Sequence, residues 1–206
     1  VFSRRGFKGA TTKEIAAAAG VAEAVLFQHF PSKEALYSAV LEMRLEASDE
    51  QRWIEEVTDS MRRNDDAAVF RSFILRILRA YRRDPSTQRV ILFAALEGHE
   101  QGLVRMQKQF APILDRFLDY IARRQKEGAL ADCSPDAVMI ALGGVAHQYG
   151  QLTQMFPGAP LLEIADEEMA RQFARILLRG VRRQGPARGR RGKQSRPGSP
   201  GSRKAK

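Results

Sequence analysis

The sequence predicts an all-α protein with a small N-terminal three-helix domain followed by a larger helical bundle. From residue 33 onward, apolar residues recur at helical spacing between turn signals. No run of alternating β-branched residues and no hairpin dipeptide indicates a sheet. The 206 residues are 44% hydrophobic, which is enough for a substantial core in one or two domains.

Residues 11–30 predict two short helices joined by a tight turn. Thr11 and Glu14 have the spacing of a capping box, so a helix should begin immediately after the threonine. Gly20 stands where a helix closes with a left-handed residue, a conformation that glycine adopts without steric cost. A second helix over residues 23–30 would bury Leu26 and Phe30, one turn apart, against the first.

The opposite face of the second helix should point outward. Glu23, Phe27 and Gln28 lie on that face, with Ala24 beside them. After Pro31 stops the helix, Ser32 is a good N-cap for a third helix. Lys33 would then sit at a helix start, where free N–H groups already favour a phosphate. We therefore predict a DNA-reading edge flanked by a backbone anchor.

The same segment resembles the N-terminal domain of TetR family transcriptional regulators. The resemblance is nearly continuous from residue 2 to residue 40 and is carried by G-F-K-G-A-T-T-K-E-I-A-A-A-A-G-V-A-E-A-V-L-F-Q-H-F-P-S-K-E-A-L. It implies phosphate contacts for Thr12 and Lys33. Gln28 is the best candidate for reading a base edge. The residues that the resemblance places in or beside the major groove are Glu23, Ala24, Val25, Phe27, Gln28 and His29.

Four departures from the family pattern weaken the expected binding. Ala22, Val25 and Phe27 each stand where a hydroxyl-bearing residue is common. A missing cap costs a short helix roughly 1 kcal/mol, and a lost hydroxyl donor lowers affinity by a similar order. The family also places a complete helix before Gly6, where this chain has V-F-S-R-R. We expect a fragment or a start assigned too far downstream, and a poorly ordered head if Val1 is the true N-terminus.

The formal charge of +10 is concentrated at the C-terminal end. Residues 182–206 hold ten lysines and arginines and no acid, which equals the whole excess. The Gly-, Pro- and Ser-rich stretch 184–206 has little to bury, so we predict a disordered tail that raises affinity for DNA of any sequence. A solvated tail without a specific role is the alternative. The predicted domains are a helix-turn-helix domain at 1–48, a ligand-binding and dimerisation domain at 49–183, and this tail.

Helices of the bundle are predicted at 66–83, 85–97, 102–126, 135–156 and 161–182. Asp84 and Ser134 each precede a proline at the first helical position, which is a strong start signal. A stripe of Leu36, Val40, Met43 and Ala47 predicts that the helix after Ser32 is long and joins the head to the body.

The last two predicted helices carry apolar faces that exceed the needs of one monomer. The resemblance implies a homodimer through these helices, with two reading helices matching half-sites about 34 to 36 Å apart. A monomer that packs the faces internally is the alternative. The faces contain Val138, Leu142, Val145, Tyr149, Leu152 and Phe156 on one helix, and Leu162, Met169, Phe173, Ile176, Leu177 and Val181 on the other.

The resemblance also implies a pocket for an unknown small-molecule effector between the middle helices. At helical spacing such residues are usually core, so the two roles stay open for each. His147, Gln151 and Gln154 form a polar stripe that either orients a ligand or makes hydrogen bonds across the dimer. The candidate wall is Phe73, Ile77, Tyr81, Phe93, Met106, Phe110, Phe117, His147 and Gln151.

No catalytic, cofactor or metal site is predicted. The chain has no G-x-G-x-x-G, P-loop, nucleophile elbow or H-E-x-x-H motif. Glu97, His99 and Glu100 cluster without the E-x-x-H spacing of helical di-iron sites, and His99 is predicted to be a loop residue. The single cysteine, Cys133, excludes an intramolecular disulfide. No apolar run approaches the ~20 residues that cross a bilayer, so we predict a cytoplasmic protein without membrane contact.

The predicted function is that of a ligand-responsive regulator, a repressor in preference to an activator, on a pseudo-palindromic operator in double-stranded DNA. The rival hypothesis is a helical interaction protein that binds nucleic acid nonspecifically through its basic tail. The two differ in what remains after the tail is removed, because the regulator keeps its sequence preference.

Overall fold

The computed structural model describes residues 1–43, 50–156 and 164–181. Across these ranges the chain is all α-helical and contains no β-strand, which confirms the predicted fold class. The helices in chain order are α1 (Phe2–Gly9), α2 (Thr12–Ala19), α3 (Glu23–His29), α4 (Lys33–Met43), α5 (Glu50–Arg62), α6 (Asp66–Arg83), α7 (Pro85–Glu97), α8 (Glu100–Lys126), α9 (Pro135–Gln154) and α10 (Asp166–Val181).

Most helix boundaries follow the sequence signals. The bounds of α6 and α7 are as predicted, and the carboxylate of Asp84 accepts the Ser86 N–H at 2.9 Å to start α7. Helix α8 begins two residues earlier than expected. The predicted continuation of α4 through Ala47 falls on residues 44–49, outside the described ranges, and α5 was not predicted as a separate helix. None of the described helices is both long and apolar enough to span a membrane.

The buried residues form two separate cores. One fills the N-terminal head, with Phe2, Leu26 and Tyr37 at its centre. Val90 and Ala94 of α7 belong to the same cluster and are 1% and 0% exposed. Helix α7 therefore completes the core of the head, although it lies in the segment assigned to the ligand-binding and dimerisation domain. The boundary near residue 48 lies outside the described ranges and stays a prediction.

The second core fills the body around α6, which packs against α5, α9 and α10. At its edge lies an ionic cluster with a buried carboxylate. Asp66 accepts hydrogen bonds from the Tyr120 hydroxyl at 2.5 Å and from Arg124 Nε and Nη2 at 2.8 and 3.0 Å. Burial, together with the bond to Asp66, raises the pKa of Tyr120. The cluster joins the start of α6 to α8.

Much of the predicted dimer face is used within the single chain. Val138, Leu142, Tyr149 and Met169 are all buried in the body core. The expectation that these four face a partner is therefore wrong, because α9 and α10 turn them toward α6. The exposed apolar residues of the two helices include Ile140 and Ile176. Ile176 belongs to the predicted dimer face, whereas Ile140 does not.

Candidate nucleic-acid interface

Helix α2 begins and ends as the sequence predicts. The Thr11 hydroxyl accepts the Glu14 N–H, and the Glu14 carboxylate accepts the Thr11 N–H, each at 3.2 Å. The second bond is the main reason why the pKa of Glu14 is lowered. Gly20 closes the helix in the left-handed region at φ 71°, ψ 25°. These two ends hold α2 to eight residues and place α3 directly after the turn.

Helix α3 exposes the predicted reading edge. Leu26 is 8% exposed and anchors the helix in the head core, where Phe30 also packs. The other residues of α3 are all exposed, and Phe27 retains 45% of its surface. The six residues that the resemblance places in or beside the major groove are therefore accessible, while their contacts with DNA stay predictions. They are Glu23, Ala24, Val25, Phe27, Gln28 and His29.

A side-chain hydrogen bond ties the start of α2 to the start of α3. The Thr12 hydroxyl donates to the Glu23 carboxylate. In this arrangement the threonine, predicted to contact phosphate, and the glutamate, predicted to lie at the groove, are partners of each other. Because its hydroxyl carries a single hydrogen, Thr12 must give up this bond before it can donate one to a phosphate.

Lys33 occupies a different environment from the one predicted. Its ammonium donates to the Ala10 carbonyl at 2.8 Å and lies over the Phe7 ring, 4.3 Å from the centroid. The expected free cation at a helix start is therefore absent from this position, because the long side chain folds back into the head. The N–H groups that open α4 stay at the helix start, and Ser32 caps them through its bond from the Ala35 N–H at 3.2 Å.

The head is connected to α7 through a carboxylate. Glu97 Oε2 accepts the Phe7 N–H at 2.6 Å, and Glu97 Oε1 accepts the Lys8 N–H at 3.2 Å. These N–H groups follow a break in α1 at Gly6, whose φ of 69° and ψ of −172° suit glycine. A Cβ at Gly6 would lie 2.5 Å from Glu97 Oε1 and 2.8 Å from Phe93 Cδ1. Close approach of α7 thus requires glycine at this position.

Aromatic residues form the rest of the junction between head and body. The buried Tyr37 hydroxyl donates to the Val90 carbonyl at 3.0 Å, and burial, followed by the charge of Glu97, raises the pKa of Tyr37 to about 12. The ring of His99 lies 4.1 Å from that of Phe7 and 5.0 Å from that of Tyr37. His99 does lie between helices as predicted, but it packs into this junction. We name the group Phe7, Tyr37, Phe93, Glu97 and His99 the hinge cluster.

The predicted effector wall is divided between three environments. Phe93 belongs to the hinge cluster, so its assignment to the pocket is not supported by its position. Phe117 is fully buried between Trp53 and Phe73, and packs as core. Ile77 and Phe110 also pack against the body core. The side chain of Met106 lies outside the described residues.

Three of the predicted wall residues do come together. The Tyr81 hydroxyl lies 3.2 Å from His147 Nδ1 and also hydrogen-bonds with Gln151. Burial raises the pKa of Tyr81, and loss of hydration lowers that of His147, although part of the histidine stays exposed. The tyrosine approaches α9 closely because residue 150 is glycine, where a Cβ would collide with the ring. His147 and Gln151 of the polar stripe on α9 are thus bonded to Tyr81 of the same chain.

Two cavities in the described part of the chain lie elsewhere. One of about 430 Å³ runs between α6 and α10, and one of about 640 Å³ lies among α5, α6 and the start of α10. None of the nine predicted wall residues lines either cavity. Three arginines line the smaller cavity and five line the larger one, whereas the predicted wall is mainly aromatic. The sequence carries no signal for these cavities, because arginines at helical spacing are equally typical of a solvated helix face.

The short α2, the tight turn at Gly20 and the exposed edge of α3 define a helix-turn-helix DNA-binding protein with a helical body. Residues 1–40 match the sequence profile of the family described as bacterial regulatory proteins, tetR family. Over these forty residues the chain is therefore similar to members of this family. The relatives that match over most of the chain are transcriptional regulators.

Whole-chain comparisons agree with this assignment. The chain is 26% identical to the transcriptional regulator RutR of Escherichia coli K12 over 185 residues, which cover 88% of this chain and 85% of RutR. It also resembles the solved structure of PfmR, a TetR family regulator from Thermus thermophilus, with a TM-score of 0.63 and 18% identity over 88% of this chain and 94% of that one. AibR, solved with isovaleryl coenzyme A and operator DNA, has a TM-score of 0.62 and 20% identity over 86% and 91% of the two chains. At such identities the structural likenesses establish the fold.

Proposed function

We propose that the chain is a ligand-responsive repressor that binds a pseudo-palindromic operator as a homodimer and acts in the cytoplasm. The observation that carries the proposal is the exposed edge of α3, held outward by the buried Leu26. Gln28 reads a base through its amide, which can pair with an adenine edge. The choice of repressor over activator rests on the family resemblance.

Phosphate contacts in this proposal come from helix starts and the tail. Residues 1–43 contain five lysines and arginines and four acids, so the head itself is almost neutral. The Lys33 ammonium already donates to the Ala10 carbonyl and lies over Phe7, so it is less free to reach a phosphate than the N–H groups at the starts of α2 and α4. The ten cations of 182–206, outside the described ranges, supply the remaining sequence-independent attraction.

Ligand response in this proposal passes through α7. The helix contributes Val90 and Ala94 to the core of the head and ends at the Glu97 bonds, so a shift of α7 moves α1 and α4. A ligand in the body can shift this equilibrium only by its differential affinity for the two positions. AibR, seen with both a small molecule and operator DNA, is an example of a protein with this fold that binds both.

We expect Gln28→Ala to change which operator the protein prefers. Loss of a bidentate amide costs about 1 to 3 kcal/mol of discrimination at the base it reads, or roughly 5- to 150-fold. The measurement is selection from random DNA, followed by titration of the selected and scrambled duplexes. Lys13→Ala is the matched control, because this exposed cation on α2 should affect all sequences equally. If Gln28→Ala prefers the same operator as the unsubstituted protein, Gln28 does not read a base.

The same titration with a chain ending at residue 183 tests the rival function. The regulator keeps its sequence preference and loses only the salt-dependent, sequence-independent part of its affinity. A helical interaction protein that binds through its tail loses nearly all binding and shows no preference at any salt concentration. Retained preference in the shortened chain therefore supports the repressor, and its absence contradicts it.

The homodimer proposal places the exposed parts of α9 and α10 at the interface. Ile140 and Ile176 retain 74% and 62% of their surface in the single chain. Gly144 on the same side of α9 is exposed, and a Cβ built there meets no atom within 4 Å. Large apolar side chains beside an open glycine allow a symmetry-related helix to approach closely.

We expect Ile140→Glu and Ile176→Glu to dissociate the dimer without unfolding the chain. Each substitution buries a charge at two symmetric positions of the interface but costs little in the monomer, because both side chains are exposed there. Sedimentation equilibrium should show a dissociation constant raised by about 100-fold. Leu96→Glu is the control, since Leu96 is 83% exposed on α7. If both variants sediment with the same mass as the unsubstituted protein, the interface does not include these two residues.

A further inference from the structure

The larger cavity is a groove with an excess of positive charge. It has a volume of about 640 Å³ and lies among α5, α6 and the start of α10. Five arginines and two glutamates line it, a formal excess of three positive charges. The arginines are Arg52, Arg71, Arg76, Arg79 and Arg83. We name this cavity the arginine groove.

One wall of the arginine groove is aromatic. Trp53 lines it, and its indole N–H donates to the Ser72 hydroxyl at 2.9 Å. The ring stacks with the buried Phe117 at a centroid distance of 6.1 Å and an interplanar angle of 21°. The guanidinium of Arg76 lies over the same indole, 5.5 Å from its centroid. The wall is therefore a flat surface held by the body core and covered by a cation.

Two of the groove arginines pair with the two glutamates that line the groove. Arg52 pairs with Glu56 at 3.0 Å, and Arg79 pairs with Glu167 at 2.9 Å, all with exposed side chains. Arg76 is half-buried and has no acidic partner among the residues that the structure describes. Arg71 likewise has no such partner in the described ranges. A partly desolvated guanidinium is stabilised by an anion that it can bind with two hydrogen bonds.

We propose that the arginine groove binds a small organic anion that carries a planar ring. The ring extends the stack formed by Trp53 and Arg76, because a guanidinium plane packs on aromatic faces. The acidic group of the ligand bonds to Arg71 and Arg76. The volume lies within the 300 to 1,000 Å³ typical of small-molecule sites. A duplex phosphate backbone fits less well, because the flat wall selects for a ring and the phosphates of a duplex face outward.

Binding at the groove stands independently of the DNA-binding proposal, whereas a role of this anion as the effector rests on it. Helix α6 runs from the groove directly into α7, separated only by Asp84. An occupied groove therefore acts on the helix that ends at Glu97 and the head. This names the chemical class of effector that the proposed repressor takes.

The test uses the full chain and two probes that differ by one charged group. The anion 8-anilinonaphthalene-1-sulfonate and its uncharged analogue N-phenyl-1-naphthylamine share the same rings. Trp53 is the only tryptophan, so quenching of its emission and energy transfer to the probe report on the groove directly. We expect saturable quenching by the sulfonate, with an affinity about tenfold or more above that of the neutral probe.

Arginine variants then locate the bound anion. Arg76→Gln should lower the affinity for the sulfonate about tenfold. The circular dichroism signal of the helices should stay unchanged. Arg89→Gln, an exposed position on α7 that does not line the groove, should leave the affinity as it is. Equal affinities for the two probes, or no effect of Arg76→Gln, would overturn the proposal. A random-sequence duplex could also displace the sulfonate from both the full chain and a chain ending at residue 183. That result would overturn the proposal and identify the groove as a nucleic-acid surface.

Operator titrations on the same samples separate the two proposals. If operator preference is lost while sulfonate binding stays intact, the repressor proposal is wrong and the proposed anion site in the groove is retained. If the protein binds the operator but does not bind the sulfonate, the proposed anion site is wrong and the repressor proposal is retained. A weaker operator affinity with the sulfonate bound supports the anion as the effector class, and an unchanged affinity rejects that role.

Discussion

Gly6→Ala is expected to detach the N-terminal segment from α7 and to destabilise the head by about 3 kcal/mol or more. The backbone at Gly6, with φ 69° and ψ −172°, lies in a region that costs a residue with a Cβ about 1 to 3 kcal/mol. The new methyl group would also displace the Glu97 carboxylate, since it would stand 2.5 Å from Oε1. Displacement removes the acceptor of the Phe7 and Lys8 N–H groups.

Thermal unfolding of the full chain and limited proteolysis within residues 1–43 measure this effect. Gly9→Ala is the matched control, because a Cβ there meets only Arg5 Cβ at an ordinary 3.4 Å. Its helical position should make it neutral or slightly stabilising. Glu97→Ala removes the acceptor without the backbone strain, so it should cost less than Gly6→Ala and more than Gly9→Ala. Equal stabilities for the two glycine variants would show that the contact with α7 contributes nothing.

Asp66→Asn is expected to destabilise the body by about 3 kcal/mol, the lower end of the usual cost of breaking a buried ion pair, because Arg124 keeps its pairing with Glu127. The Asp66 and Arg124 side chains are 8% and 14% exposed, so little water reaches the guanidinium after the substitution. The asparagine amide keeps one acceptor oxygen, but its NH2 group would face the guanidinium of Arg124, which is also a donor. The Tyr120 hydroxyl also loses its charged acceptor.

Urea unfolding of the full chain measures the free energy of unfolding for this variant. The control is Asp65→Asn, the same chemical change one residue earlier. Asp65 caps α6 by accepting the Ala68 N–H at 3.0 Å in an exposed position. Asparagine caps a helix as well as aspartate does, so the control should change stability by less than about 0.5 kcal/mol. A similar small change for both variants would show that the buried cluster is energetically neutral.

Local chemistry explains why the head could be predicted in detail. The capping box at Thr11 and Glu14, the left-handed Gly20 and the cap at Ser32 each involve residues within a few positions of one another. Burial of Leu26 follows from the same helical geometry, which leaves the rest of α3 exposed. Such interactions depend on the order of residues alone, so the bounds and outward face of the reading helix were predictable.

The residues of the hinge cluster were not predictable in the same way. Glu97 binds N–H groups that are 90 and 89 positions away in the chain. Phe93 carries the same apolar character as a pocket wall or a core residue, and periodicity cannot distinguish these from a junction. Lys33 reads as a free cation because its acceptor is a carbonyl, which leaves no trace in the side-chain pattern.

The amino-acid order by itself determined an all-α protein, the capped helix-turn-helix and the outward row on α3, because caps, turns and helical periodicity operate over a few residues. Tertiary packing decided that α7 completes the head, that the apolar residues of α9 and α10 are shared between the body core and the surface, and that arginines of α5 and α6 line one groove. These outcomes depend on which helices lie side by side. Packing between helices brings together residues far apart in the chain, and no local pattern specifies those neighbours.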